Sequence, residues 1–180
     1  SAGDWNRYKM YLSNGTLNVV GNVTTHSDDI YINNGATLVF ASGTTFNPAE
    51  GDAGNHRQYV RSGGEVDVLG TLLIYYYTLY VQSGGTAVIN PTSLKISSTA
   101  QKSFFQNDGG VLSLPSGLVF QQGSSSTGFS FSLYQNSGTL ILGGPLNKNG
   151  KPGTYNATLS GGTIRVTGDE IGRASCRERV

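Results

Sequence analysis

The chain has 180 residues, with 12 basic and 11 acidic side chains, a formal net charge of +1 and 13% charged residues. With no basic run and no interleaved Arg/aromatic patch, a nucleic-acid partner is not expected. No uninterrupted apolar stretch approaches the roughly 20 residues of a membrane-spanning helix, and 26 glycines without any Ala/Glu/Leu-rich periodic segment predict no helix at all.

The chain opens SAGDW, and its one methionine, Met10, lies inside a strand-like segment. It is therefore expected to be a fragment of a longer, metagenomic reading frame, truncated at both ends. From there a small-residue corner recurs seven times. It reads SNGT at Ser13–Thr16, NNGAT at Asn33–Thr37, SGGE at Ser62–Glu65, SGGT at Ser83–Thr86, DGGV at Asp108–Val111, NSGT at Asn136–Thr139 and SGGT at Ser160–Thr163. The last glycines of these corners, Gly15 to Gly162, recur about every 24 residues, a period that signals solenoids or arrays.

Each corner leads into an alternating strand: Leu17/Val19, Leu38/Phe40, Val66/Val68, Ala87/Ile89, Leu112/Leu114, Leu140/Leu142 and Ile164/Val166. An apolar pair around one middle residue predicts a strand with one buried face. A second corner of Gly, Pro or Asn turn formers follows, at Gly21, Ser42-Gly43, Gly70, Asn90-Pro91, Pro115–Gly117 and Gly143–Pro145. A third apolar stretch comes next, at Val23, Phe46, Leu72–Ile74, Leu94, Leu118/Phe120 and Leu146, and a loop of variable length returns the chain. The prediction is about seven turns of three short strands, in one domain over residues 1–169. A sandwich or barrel with Gly-rich hairpins is the alternative, but hairpins need no two corner columns in fixed order.

The last segment, Glu170–Val180 (EIGRASCRERV), has no strand period and a foreign charge density. It resembles a translated sequencing adapter and is expected to be a non-native, disordered tail. Without its Arg173, Arg177 and Arg179 the basic count falls from 12 to 9; without Glu170 and Glu178 the acidic count falls from 11 to 9. The net charge becomes zero. Cys176, the only cysteine, goes with the tail, leaving no disulfide, thiolate zinc site or cysteine nucleophile.

The densest ionisable cluster follows the third strand of the first two turns. It comprises His26, Asp28 and Asp29, then Glu50, Asp52, His56 and Arg57 in the longest insertion, Asn47–Gln58. Stacked turns bring such loops about 4.8 Å apart at their bases, so four acids share one rim. Tyr75, Tyr76 and Tyr77 on turn three and Lys102 on turn four lie near it.

Three readings are open. In the first, Asp28, Asp29, Glu50 and Asp52 act as acid and base or bind Ca²⁺, while Arg57 or Lys102 offsets the charge of a uronate substrate. In the second, the same carboxylates hold a Ca²⁺ that only stiffens the loop. In the third, the charges are a solvated surface, the default for a long loop. His26 and His56 would share a metal if stacked, but solvated histidines are the preferred reading. Tyr75–Tyr77, with Tyr80, are candidate ligand-binding rings, since alternation must turn at least one outward; a ring lying on the neighbouring loop is the competing reading. The acceptor patterns at Asn14, Asn22 and Asn156 read as structural. No spacing matches a nucleophile, metalloprotease, EF-hand or nucleotide motif, and the Gly pairs precede no helix and are not phosphate cradles.

Three strands and three corners per repeat, with recurrent SGGT turns, resemble the right-handed parallel β-helices of autotransporter passengers and bacterial surface adhesins, over Tyr11 to Gly168. The pectin-lyase-like enzymes and phage tailspikes share that architecture. The resemblance implies an all-β parallel solenoid and a secreted or cell-surface bacterial setting, and its handedness follows the crossover rule. The expected role is a stalk or adhesin segment contacting polysaccharide or host glycan, with no cofactor unless Ca²⁺. The alternative is a polysaccharide lyase, hydrolase or tailspike-like depolymerase. Loss of charge after the second turn favours the stalk, and no cap is evident, so the fragment is expected to self-associate through its ends.

Overall fold

In the computed structural model residues 9–25, 29–48, 56–74, 77–96, 103–122, 129–147, 149 and 153–167 are described. They hold eighteen strands and no helix. The first rung contains β1 (Lys9–Leu12), β2 (Gly15–Val19) and β3 (Val23–Thr25); the second contains β4 (Asp29–Ile32), β5 (Ala36–Phe40) and β6 (Thr45–Pro48). The third contains β7 (His56–Val60), β8 (Glu65–Val68) and β9 (Thr71–Ile74), and the fourth β10 (Tyr77–Gln82), β11 (Thr86–Ile89) and β12 (Ser93–Ile96). In the fifth and sixth, β13 (Ser103–Leu114) and β15 (Phe129–Leu142) run straight through the first corner, each followed by a third strand, β14 (Leu118–Gln122) and β16 (Leu146–Asn147). The last rung has β17 (Gly153–Leu159) and β18 (Thr163–Val166). The tail Glu170–Val180 lies outside the described residues.

Every strand pairs in parallel with its counterparts on adjacent rungs, giving a 12-stranded sheet from the first two strands of each rung and a six-stranded sheet from the third. The register carries like residues into columns. Leu17, Leu38, Val66, Ala87, Leu112, Leu140 and Ile164 align in one. Val23, Phe46, Leu72, Leu94 and Phe120 align in another. From Leu38 to Leu140 and from Phe46 to Phe120 these columns meet inside the coil as one apolar core with Ile32, Val60, Leu79, Phe105 and Phe131. Period-two alternation in the sequence therefore becomes columns because the pairing is in register. The architecture is a parallel β-solenoid.

About five turns have a closed interior, fewer than the seven expected. Among the described residues the first and last rungs pair on one side only, and their strands are largely exposed. Val20 is 81% exposed at one end and Leu159 57% at the other. An apolar hollow of about 330 Å³ opens beside Met10, Leu17, Val19, Val23, Leu38 and Phe40.

Where a strand runs through a corner, side-chain amides take over from apolar residues. Asn107 follows Val81 in register and Gln135 follows Asn107; both are fully buried. The Asn107 Oδ1 accepts from the Gly110 N–H at 3.0 Å, and its Nδ2 donates to Gln135 Oε1 and to the Thr139 carbonyl, each at 3.0 Å. Gln135 Nε2 donates to the Ser137 carbonyl at 2.8 Å. These bonds satisfy main-chain groups that point inward at the corner and would otherwise be stranded.

The corners also explain the glycines. A Cβ on Gly85 would lie 2.4 Å from the Val60 carbonyl oxygen of the rung below, and one on Gly64 2.2 Å from that of Ile32. Gly21, by contrast, faces open space. Gly85→Ala is predicted to lower stability by about 1–3 kcal/mol through overpacking, whereas Gly21→Ala should stay within about 0.5 kcal/mol of the parent. Denaturant unfolding of both variants checks the pair, and equal effects would show that the corners are not closely stacked.

Candidate functional site

Of the expected site residues, Asp29, Arg57 and Tyr77 are described. Asp28, Glu50, Asp52, Tyr75 and Tyr76 lie outside the described residues, as do His26 and Lys102, and the side chain of His56 is likewise not described.

Asp29 opens β4 and Arg57 lies directly beside it in β7. The shared register sets the two side chains next to each other on the outer face of the large sheet, with Arg57 Nε 3.1 Å from Asp29 Oδ1. Asp29 is 7% exposed at its side chain and Arg57 27%. The second carboxylate oxygen accepts from the Tyr31 hydroxyl at 3.4 Å. Burial acts to lower the Arg57 guanidinium, but Asp29, Tyr59 and Tyr80 together outweigh it and leave it raised. One of the four acids expected on the rim is thus held in an ion pair. Such a pair contributes little net stability but leaves an unpaired, poorly solvated charge if either partner is removed.

Tyr77 corrects an expectation. Its ring is fully buried inside the coil and offers no surface for a ligand. It meets Phe46 edge-on at 5.7 Å and Phe105 at 6.0 Å, and its hydroxyl donates to Gln58 Oε1. Burial pushes that hydroxyl far above its usual range. The reason is parity: Tyr77 is in phase with the buried Leu79 and Val81, two and four residues on. Among the described residues the Gln58 Nε2 beside it is buried without a partner.

An outward-facing aromatic feature lies elsewhere. Tyr11, Tyr31, Tyr59 and Tyr80 occupy one register position on four successive rungs. Their ring centroids are 4.8, 4.8 and 4.9 Å apart, with planes within 10° of parallel. Phe104 and Tyr134 extend the row edge-on at 5.3 and 5.7 Å. The Arg61 guanidinium lies 4.6 Å over the Tyr31 ring and 5.6 Å from that of Tyr59, while its Nε donates to Gln82 Oε1 at 3.0 Å. Offset stacks of this kind are favourable, as is the cation over the ring. At one strand spacing, neighbouring rings leave no gap for a sugar between them, so the row is a continuous ridge.

The large sheet's other outer face carries a second acidic group that sequence reasoning had not singled out. Glu65 and Asp67 alternate outward on β8, and Asp67 is flanked in register by Val39 and Val88. Burial, then the Glu65 charge, raises the Asp67 carboxyl. Among the described residues no group of three His, Cys, Asp or Glu side chains could hold a metal ion, and Asp29 is the one expected calcium ligand in view.

No family model matches the chain, and no curated protein or solved structure matches it.

A carboxyl raised in the folded state opposes folding at high pH. That opposition fades as the pH falls below the folded value and is gone below the unfolded value near 4. Asp67→Asn is therefore expected to raise the Tm at pH 7, with the gain shrinking as the pH falls and gone about a unit below the unfolded value. Thermal melts of both proteins across that range test the sign, and a lower Tm at pH 7 would contradict it.

Proposed function

We propose that this chain is a structural segment of a secreted or cell-surface bacterial solenoid protein, a stiff stalk that positions an adhesive element against glycan. The observation that carries the reading is the axial continuity of the outer rows. On the outer face of the large sheet Tyr11, Tyr31, Tyr59 and Tyr80 stack ring on ring over four rungs and form a ridge where an enzyme requires converging groups. The ionic pair on this face is neutralised in place. Neutral side chains such as Thr37, Thr86, Ser113 and Thr139 are also half-buried on this sheet's outer side. Self-association through the end rungs belongs to the same reading, since among the described residues these rungs expose apolar side chains such as Leu17, Leu159 and Val166.

A carbohydrate-active enzyme is the second reading, and one observation favours it: a raised carboxyl, Asp67, beside a second acid, Glu65. The pair sits along a single strand between valines, however, and the described residues form no cleft over it. Calcium is not part of the stalk reading, because Asp29 is already matched by Arg57.

Incubating the full chain with uronate-containing and neutral polysaccharides, and assaying for new reducing ends and unsaturated uronates, separates the two readings. The stalk predicts no cleavage. Cleavage abolished by Glu65→Gln with Asp67→Asn, or by alanine at Asp28, Glu50 and Asp52 together, would establish the enzyme instead.

A further inference from the structure

We propose that the outer tyrosine row is an oxidative modification site, at which one-electron oxidation of Tyr31 and of Tyr59 or Tyr11 on the adjoining rung joins the two rings by a carbon–carbon cross-link. The inference does not depend on the stalk reading.

Geometry carries it. Tyr31 lies between Tyr11 and Tyr59 at 4.8 Å on either side, with interplanar angles of 10° and 5°. Because the three residues share one register position on parallel strands, matching ring carbons of neighbours lie about one strand spacing apart. Radicals formed on this row meet a partner ring without chain diffusion, an advantage of the kind that held reactants have over free ones.

Tyr31 is also the ring equipped to lose its proton. An oxidised phenol is a strong acid and needs a base at its oxygen. The Tyr31 hydroxyl already donates to Asp29 Oδ2 at 3.4 Å, and Arg57 Nε pairs with the other oxygen of that carboxylate at 3.1 Å. The Arg61 guanidinium 4.6 Å above the ring disfavours a lasting positive charge there, so electron loss is tied to proton loss. Burial, with the Asp29 charge, holds the Tyr31 phenol above its usual range, so it meets an oxidant in its neutral form.

The chemistry balances with an external oxidant. Two rings each lose one electron and one proton. The radicals join through the carbons beside the hydroxyls, and the hydrogens on those carbons move to oxygen as both rings regain aromaticity. The product has two hydrogen atoms fewer. Hydrogen peroxide with a peroxidase-class catalyst supplies the two-electron oxidant and leaves as two waters. The outcome is a covalent fastening of neighbouring rungs along the outside of the coil.

The test uses the full chain carrying Cys176→Ser, at dilution, oxidised by a photosensitised ruthenium complex with persulfate and mapped by peptide mass spectrometry. The expected product is monomeric, and its dominant link joins Tyr31 to Tyr59 or Tyr11. It should form at least about tenfold faster than in the same chain unfolded in denaturant. Tyr31→Phe, which keeps the ring in the row, should abolish that link, and Asp29→Asn should slow it, with circular dichroism confirming that both variants fold. Links scattered over the ten tyrosines, links only between molecules, or an unchanged rate in the folded Tyr31→Phe protein would overturn the proposal.

Discussion

Parallel pairing in register between successive rungs is the constraint on which the rest of this structure depends. Because each strand hydrogen-bonds to its equivalent one repeat away, a residue type that recurs in sequence becomes a column in space. Apolar residues at alternate positions become a continuous core, and the small residues of the corners become stacks. The corner glycines follow from the same constraint. With rungs one strand spacing apart, the carbonyl of one corner occupies the place a Cβ would need on the next, as at Gly64 and Gly85. A residue that suits one corner by itself fails once the corners are stacked.

The same stacking governs the exceptions. In the fifth and sixth rungs the interior column changes from valine to Asn107 and Gln135 at the place where β13 and β15 pass through the corner. The amides bond to each other and to the main chain, so they follow the altered backbone and keep its groups satisfied. Outside, the column rule produces the tyrosine row and the Asp29–Arg57 pair, in which opposite charges on adjacent rungs sit side by side. Columns of like charge would repel at this spacing, which accounts for the scarcity of charge along the repeats.

The fold was legible because its signal is repeated. Corner glycines, alternating pairs such as Val66/Val68 and the third-strand positions Phe46 and Leu72 recur in fixed order, and each repeat reinforces the others. The end rungs read as full turns because sequence shows the pattern of Leu17/Val19 and Ile164/Val166 but not that Leu17, Ile164 and Val166 are exposed. The candidate site was less legible. Asp29 and Arg57 were placed near each other, but only the register shows that they face one another. Tyr77 was grouped with its sequence neighbours, whereas its phase with Leu79 and Val81 sends it inward. The tyrosine row had a signal that went unread: Tyr11, Tyr31, Tyr59, Tyr80 and Tyr134 each precede the last glycine of a corner by four or five residues. Function was the least legible, because stacking dictates most of the residue types and leaves few whose presence requires another explanation.

The central claim, one continuous axial stack, is tested most directly by spin-label distances along a single outer column. Thr16, Thr37, Thr86, Thr139 and Thr163 share a register position. With Cys176 replaced and cysteines introduced in pairs, separations should grow linearly at about 4.8 Å per rung, so that Thr37 to Thr139, four rungs apart, gives about 19 Å between backbones. Linear growth along the series is the predicted result. Distances that do not increase with rung number, as in a hairpin sandwich where distant repeats fold back beside one another, would contradict it.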